Sequence, residues 1–131
     1  MTPDIRVVNP PDCGNAPRKA IVRDLVMALA GGDSSVLDAY LHGDAIWALV
    51  GDQTIRGGDH VKSRASSAAV AAEIRFESLL THGPAASASG TVTHASGART
   101  HFSHVVRFAS AGKAAPVISM TSYLIAATPT D

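Results

Sequence analysis

The sequence predicts an α+β layer fold, with helices first and a mainly antiparallel sheet after them, and three observations carry that expectation. In the first third, Ile21, Leu25 and Leu29 recur at spacing four with Val22 and Val26 beside them, an apolar stripe of helical period. After about residue 74 the apolar stretches are separated by short turn signals, His82-Gly83-Pro84 and Ser96-Gly97, of the kind that join sequential antiparallel strands. The chain has 131 residues, of which 30 are Leu, Ile, Val or Phe, about a quarter, so one domain can bury a core.

Residues 1–15 carry Pro3, Pro10, Pro11 and Gly14 around the short apolar patch Ile5, Val7 and Val8, an extended arm able to pair with a sheet edge. The domain proper is expected over 16–127, with 128–131 a tail. Asn15 or Ala16 precedes Pro17 at a first-turn position, and Gly31-Gly32 stops the first helix. Asp33 is placed to cap a short second helix whose Leu37, Tyr40 and Leu41 share one face, so the two helices form a hairpin. The run 45–50 is apolar and bounded by Gly43-Asp44 and Gly51-Asp52, a strand with 53–56 as its brief return. Gly57-Gly58-Asp59 opens a third, alanine-rich helix expected to run to about Glu73. Strands then follow over 74–81, 86–94, 99–109 and 117–127. The 23 alanines form no repeat and read as compositional bias.

Charge and cysteine usage exclude several classes. Eleven Lys and Arg balance 11 Asp and Glu, so the electrostatic footprint of a nucleic-acid or anionic-membrane binder is missing. The neutral balance suits an uncharged, moderately sized ligand. The one cysteine, Cys13, cannot form an internal disulfide and reads as an ordinary thiol in the arm. No run approaches about 20 apolar residues and the N-terminus lacks a signal-peptide pattern, so a cytoplasmic protein is expected.

Gly32-Asp33 after the first helix, the stretch Leu37-Asp-Ala-Tyr-Leu-His-Gly-Asp-Ala-Ile-Trp47, then Gly51-Asp-Gln-Thr-Ile-Arg-Gly57 and the closing Ile118-Ser-Met-Thr-Ser-Tyr-Leu-Ile125 carry a family likeness. Over roughly 17–127 the chain resembles the nuclear transport factor 2-like superfamily, which includes steroid delta-isomerase and the SnoaL-like polyketide cyclases. Within it, the Trp-Ala-Leu-Val-Gly-Asp run, the His82-Gly83 turn and the Phe-X-X-Val-Val-X-Phe strand resemble a bacterial subgroup without an assigned reaction. The resemblance implies a cone-shaped, cystatin-like roll in which three N-terminal helices pack on a curved, mainly antiparallel sheet. It also implies a mostly apolar pocket open at one mouth and a homodimer through the outer sheet face. Known enzymes of the superfamily move protons on small hydrophobic substrates, whereas other members bind without catalysis or hold complexes together.

The residues that carry steroid isomerisation do not transfer. On this chain the tyrosine position of the isomerase falls on Leu25, the carboxylate base on Leu49 and the carboxylic acid on His104. Leucine neither accepts a proton nor polarises a carbonyl. His104 is the departure with chemical content. Alternation puts it with Phe102, Val106 and Phe108 on one face, opposite Arg99, His101, Ser103, Val105 and Arg107. An imidazole in an apolar pocket is neutral, suited to accept a proton or to hydrogen-bond a ligand carbonyl or hydroxyl; the plain alternative is a core histidine satisfied by a neighbouring serine or backbone group.

By the same alternation Met120 and Ser122 line the pocket floor, though core filling is the better reading for Met120, and Tyr123 faces outward. Trp47 and Leu49 share a face of the first core strand, where the indole N–H needs a partner once buried. A metal site is not expected, because His101 and His104 project to opposite faces and His94 brings no acidic ligand in step. Gly57-Gly58-Asp59 lacks a phosphate-binding signature and reads as a helix start, and Asp52 as a turn residue, so no cofactor is implied. The expectation is therefore a pocket protein for a small hydrophobic molecule, with His104 as proton acceptor in chemistry of isomerase, lyase or cyclase type. The alternative is a non-catalytic homodimeric binding or scaffold module.

Overall fold

The computed structural model describes residues 5–8, 17–31, 34–68 and 70–128. Pro3, Pro10, Pro11, Cys13, Gly14, the residues before Pro17, Gly32, the expected cap Asp33 and most of the tail lie outside them. Ten elements follow one another: β1 (Arg6–Val8), α1 (Pro17–Leu29), α2 (Ser35–Tyr40), β2 (Leu41–Leu49), β3 (Gln53–Arg56), α3 (Gly58–Ser66), β4 (Ala71–His82), β5 (Ala85–His94), β6 (Arg99–Phe108) and β7 (Val117–Ala126). The strands form one sheet in the order β1-β4-β5-β6-β7-β2-β3. β4 to β7 are an antiparallel meander, while β1 runs parallel to β4 and β2 parallel to β7. Three helices on a curved, mostly antiparallel sheet make this the expected α+β roll.

Helix α1 closes the sheet because Val22, Leu25, Val26 and Leu29 form one buried stripe over β4 and β5. It stops where Gly31 takes φ +87°, a left-handed conformation that ends a helix without strain at a glycine. The alanines have a structural use that composition did not reveal. Three of the four buried positions of β5 are Ala86, Ala88 and Gly90, with Val92 the fourth, and the small size of the three lets α1 approach the sheet.

Two boundaries differ from the sequence expectation. α2 starts with Ser34 at the N-cap position, and Leu41 leaves the helix to open β2, four residues before the expected strand start. α3 ends at Ser66, seven residues short of Glu73. Ser66 Oγ and Ser67 Oγ donate to the carbonyls of Lys62 and Arg64, competing with continued helix. Beyond it Ala71 donates its N–H to the carbonyl of Ala30 and pairs with His94, so sheet pairing overrides alanine's helix preference.

Inner and outer faces separate cleanly along β6. Phe102, His104, Val106 and Phe108 are buried, whereas Val105 and Arg107 are exposed. At the α1 start, the Arg18 guanidinium stacks 4.0 Å above the Phe108 ring and donates to the carbonyls of Ala111 and Gly112 at 3.2 and 2.6 Å. That clamp draws the β6–β7 loop over this end of the sheet, where Leu25, Val106, Phe108, Val117 and Met120 fill the interior. Among the described residues no helix is long and apolar enough to cross a membrane.

Candidate functional site

The interior is open at the other end. There the C-terminal ends of α1, α3, β5 and β7 and the start of β6 surround a mostly apolar cavity of about 310 Å³, at the lower end of ligand-pocket sizes. Val26, Leu29, Trp47, Val92 and Phe102 form its apolar walls, and Leu124 stands exposed at its edge. Three polar residues reach it from the sheet, His94, Thr100 and His104, and Arg64 and Ser67 from the end of α3.

His104 is held by register. It lies directly opposite Ser122 on β7, and Ser122 lies opposite Leu49 on β2, so Trp47 reaches Ser122 along the diagonal. The indole N–H donates to Ser122 Oγ at 2.7 Å, and Ser122 Oγ lies 2.6 Å from His104 Nδ1. All three residues are at most 4% exposed. The hydrogen positions follow from donor and acceptor capacity. Indole nitrogen can only donate, so Ser122 accepts from it; the single hydroxyl proton of Ser122 is then free to satisfy Nδ1. Ser122 could accept from both rings, but among the described residues Nδ1 is the one acceptor within reach of its hydroxyl proton, and donation there puts the imidazole's own proton on Nε2; the ring lines the cavity. In this tautomer His104 accepts a hydrogen bond from Ser122, and its ring forms part of the cavity wall. Phe102 supports the ring from below, stacked at 5.2 Å and 28°.

Burial sets the protonation state. Removal from water penalises the imidazolium and pushes the His104 pKa down from 6.5 to about 4, so the ring is neutral at pH 7.

The residues named from sequence divide into two groups. Trp47, Phe102 and His104 line the cavity. Leu25, Leu49, Val106, Phe108 and Met120 are buried but are not among its lining residues, because that part of the roll is filled by their own side chains. Ser122 is wholly buried behind His104 and acts on it through the hydrogen bond. His94 and His104 both face inward, whereas His101 lies against Thr91 at 3.3 Å on the other face.

Sequence reasoning missed Arg64, His94, Thr100, Val92 and Leu124 as cavity residues. Thr100 and Leu124 were within reach, since they share alternation parity with Phe102 and Ser122. Arg64 was not, because its place depends on where α3 stops. His94 Nε2 and Thr100 Oγ1 lie 3.2 Å apart, and His94 Nδ1 is buried with no partner.

The chain matches no protein-family model and no curated protein. Solved structures match most of it. A nuclear transport factor 2-like protein of unknown function from Cytophaga hutchinsonii superposes with TM-score 0.63 at 16% identity, covering 83% of this chain and 96% of its own. A candidate ketosteroid isomerase from Kribbella flavida superposes with TM-score 0.69 at 18% identity, covering 86% of this chain and 80% of its own. An epoxide hydrolase from M. tuberculosis superposes with TM-score 0.61 at 20% identity over 82% of each chain. The chain therefore has the nuclear transport factor 2-like fold. At these identities the likeness speaks for the fold and leaves the chemistry to the site.

Proposed function

We propose that this chain, built on the nuclear transport factor 2-like fold, binds a small, predominantly hydrophobic molecule in the cavity. The Nε2–H of His104 donates to a carbonyl or hydroxyl oxygen of that ligand. One observation carries the reading: a buried Trp47–Ser122–His104 hydrogen-bond chain that ends on the wall of an otherwise apolar cavity. A core needs no such chain, since apolar side chains fill the same volume without the penalty of burying three polar groups. A neutral imidazole that donates polarises a carbonyl without becoming charged, which suits electrophilic assistance in isomerase, lyase or cyclase chemistry. Its Nδ1 lone pair is committed to Ser122, and no carboxylate lines the cavity among the described residues. Binding and polarisation are therefore favoured over proton abstraction by His104 itself.

A second reading, a homodimeric module without chemistry, draws support from the outer sheet face. Val105, Tyr123 and Ile125 are 47%, 45% and 63% exposed there, an apolar patch suited to a second copy. A dimer through this face is compatible with a ligand in the cavity, and the cavity test decides whether the chain also binds one.

Trp47 is the one tryptophan of the chain and lines the cavity, so its fluorescence reports occupancy. Titration with a neutral aryl ketone such as butyrophenone is expected to give a saturable change, with affinity about tenfold weaker in His104→Phe, the cost of one buried hydrogen bond. Equal affinity in the variant, or no saturable change in wild type, contradicts the reading.

A further inference from the structure

We infer that Arg64 makes the cavity selective for a hydrophobic carboxylate, holding the ligand's acid group at the rim while its apolar body lies against Phe102 and Val92. The inference rests on the pocket reading and narrows its substrate class.

Arg64 is half-buried in the last turn of α3 and lines the cavity, yet it has no ion pair among the described residues. The other described salt bridges engage Arg23, Lys62 and Arg75 elsewhere on the surface. Among the described residues no Asp or Glu lines the cavity, so the guanidinium's charge goes unmatched beside a largely apolar wall. A partly desolvated guanidinium gains most from a carboxylate, which can take two of its N–H groups at once.

A helix C-terminus already welcomes a cation, and that accounts for a basic residue in the last turn. It does not account for the second feature of the same rim. His94 also lines this wall, its Nε2 3.2 Å from Thr100 Oγ1, and its Nδ1 is shielded from solvent with no hydrogen-bond partner among the described residues. The Arg64 guanidinium therefore stands without an ion pair among the described residues where a ligand's polar end would emerge from the cavity. An acid group there, with an oxo oxygen deeper at His104, satisfies both ends of one molecule. A formal charge of zero for the whole chain hides this local positive rim.

The matched probes are 4-oxo-4-phenylbutanoate and its methyl ester, which share the aryl ketone and differ in charge, titrated by calorimetry. The acid is expected to bind about tenfold or more tightly than the ester, with the difference shrinking as salt rises. Arg64→Gln is expected to remove that preference and leave ester affinity unchanged, and Arg64→Lys to keep part of it. Unchanged ester affinity also shows that the variant is folded and the cavity intact. If acid and ester bind wild type equally, or if Arg64→Gln weakens both alike, the carboxylate inference is overturned and the pocket reading stands. If neither probe binds wild type, both are overturned.

Discussion

Replacing Gly90 by alanine is expected to lower stability by about 3 kcal/mol or more. A Cβ at this position would fall on the carbonyl oxygen of Arg75, far inside van der Waals contact, and 3.0 Å from Phe102 Cζ. The carbonyl belongs to the neighbouring strand β4, so no side-chain rotation relieves the clash; β4 and β5 must separate. The site is already irregular, since the β4–β5 register shifts between Phe76 and Ser78, beside the pair Phe76↔Gly90. Phe76 and Phe102 flank Gly90 from the two neighbouring strands and meet edge to face over it, 5.9 Å between centroids. That contact shields the bare glycine backbone and sets the aromatic wall of the cavity, so the same residue links sheet packing to the site. Urea unfolding of the variant should show a lowered midpoint with little change in slope. A loss under 1 kcal/mol would mean that the strands are not this close.

Ser122→Ala comes next in size, at about 2–4 kcal/mol, although it removes a single oxygen. The indole N–H of Trp47 and Nδ1 of His104 both lose their partner and both remain buried. Because the two losses share one atom, Trp47→Phe combined with Ser122→Ala is expected to cost less than the sum of the single changes. Acid exposes the same site. The unfolded chain protonates His104 near pH 6.5, whereas the folded chain resists to about pH 4. Between these values the unfolded state holds the extra proton, so stability is whole above about pH 6.5 and falls as pH drops toward 4, by roughly 3 kcal/mol for this group. Urea unfolding at pH 7.5 and 4.5 reads it, and His104→Gln should flatten that share of the acid slope.

The layer order, the meander and the inward face of β6 were legible because they rest on local signals, periodicity and turn residues. Phe102 and His104 follow from alternation alone. A neighbouring serine as partner of His104 was one of the two sequence readings; that it is Ser122 was not legible, since which residue lies opposite depends on the β6–β7 loop length and on register shifts that sequence does not display. Alternation fixes a face but not a depth along the roll, which is why Val106 and Phe108 read as pocket walls, and the isomerase likeness put Leu25 and Leu49 there. They do face inward, but toward the end of the roll that the Arg18 clamp helps close. Arg64 became visible only with the end of α3, where serine side chains and the pairing of Ala71 overrule an alanine-rich stretch. The neutral charge total was no help, because a site's electrostatics depend on which charges it gathers.

The account turns on which nitrogen of His104 carries the proton. Nitrogen-15 NMR of the imidazoles, followed from pH 8 to pH 4 and assigned with His104→Gln, reads this directly. The account predicts a protonated Nε2, a bare Nδ1 and a ring that stays neutral until about pH 4. A proton on Nδ1, or a ring that titrates near pH 6.5, would contradict it.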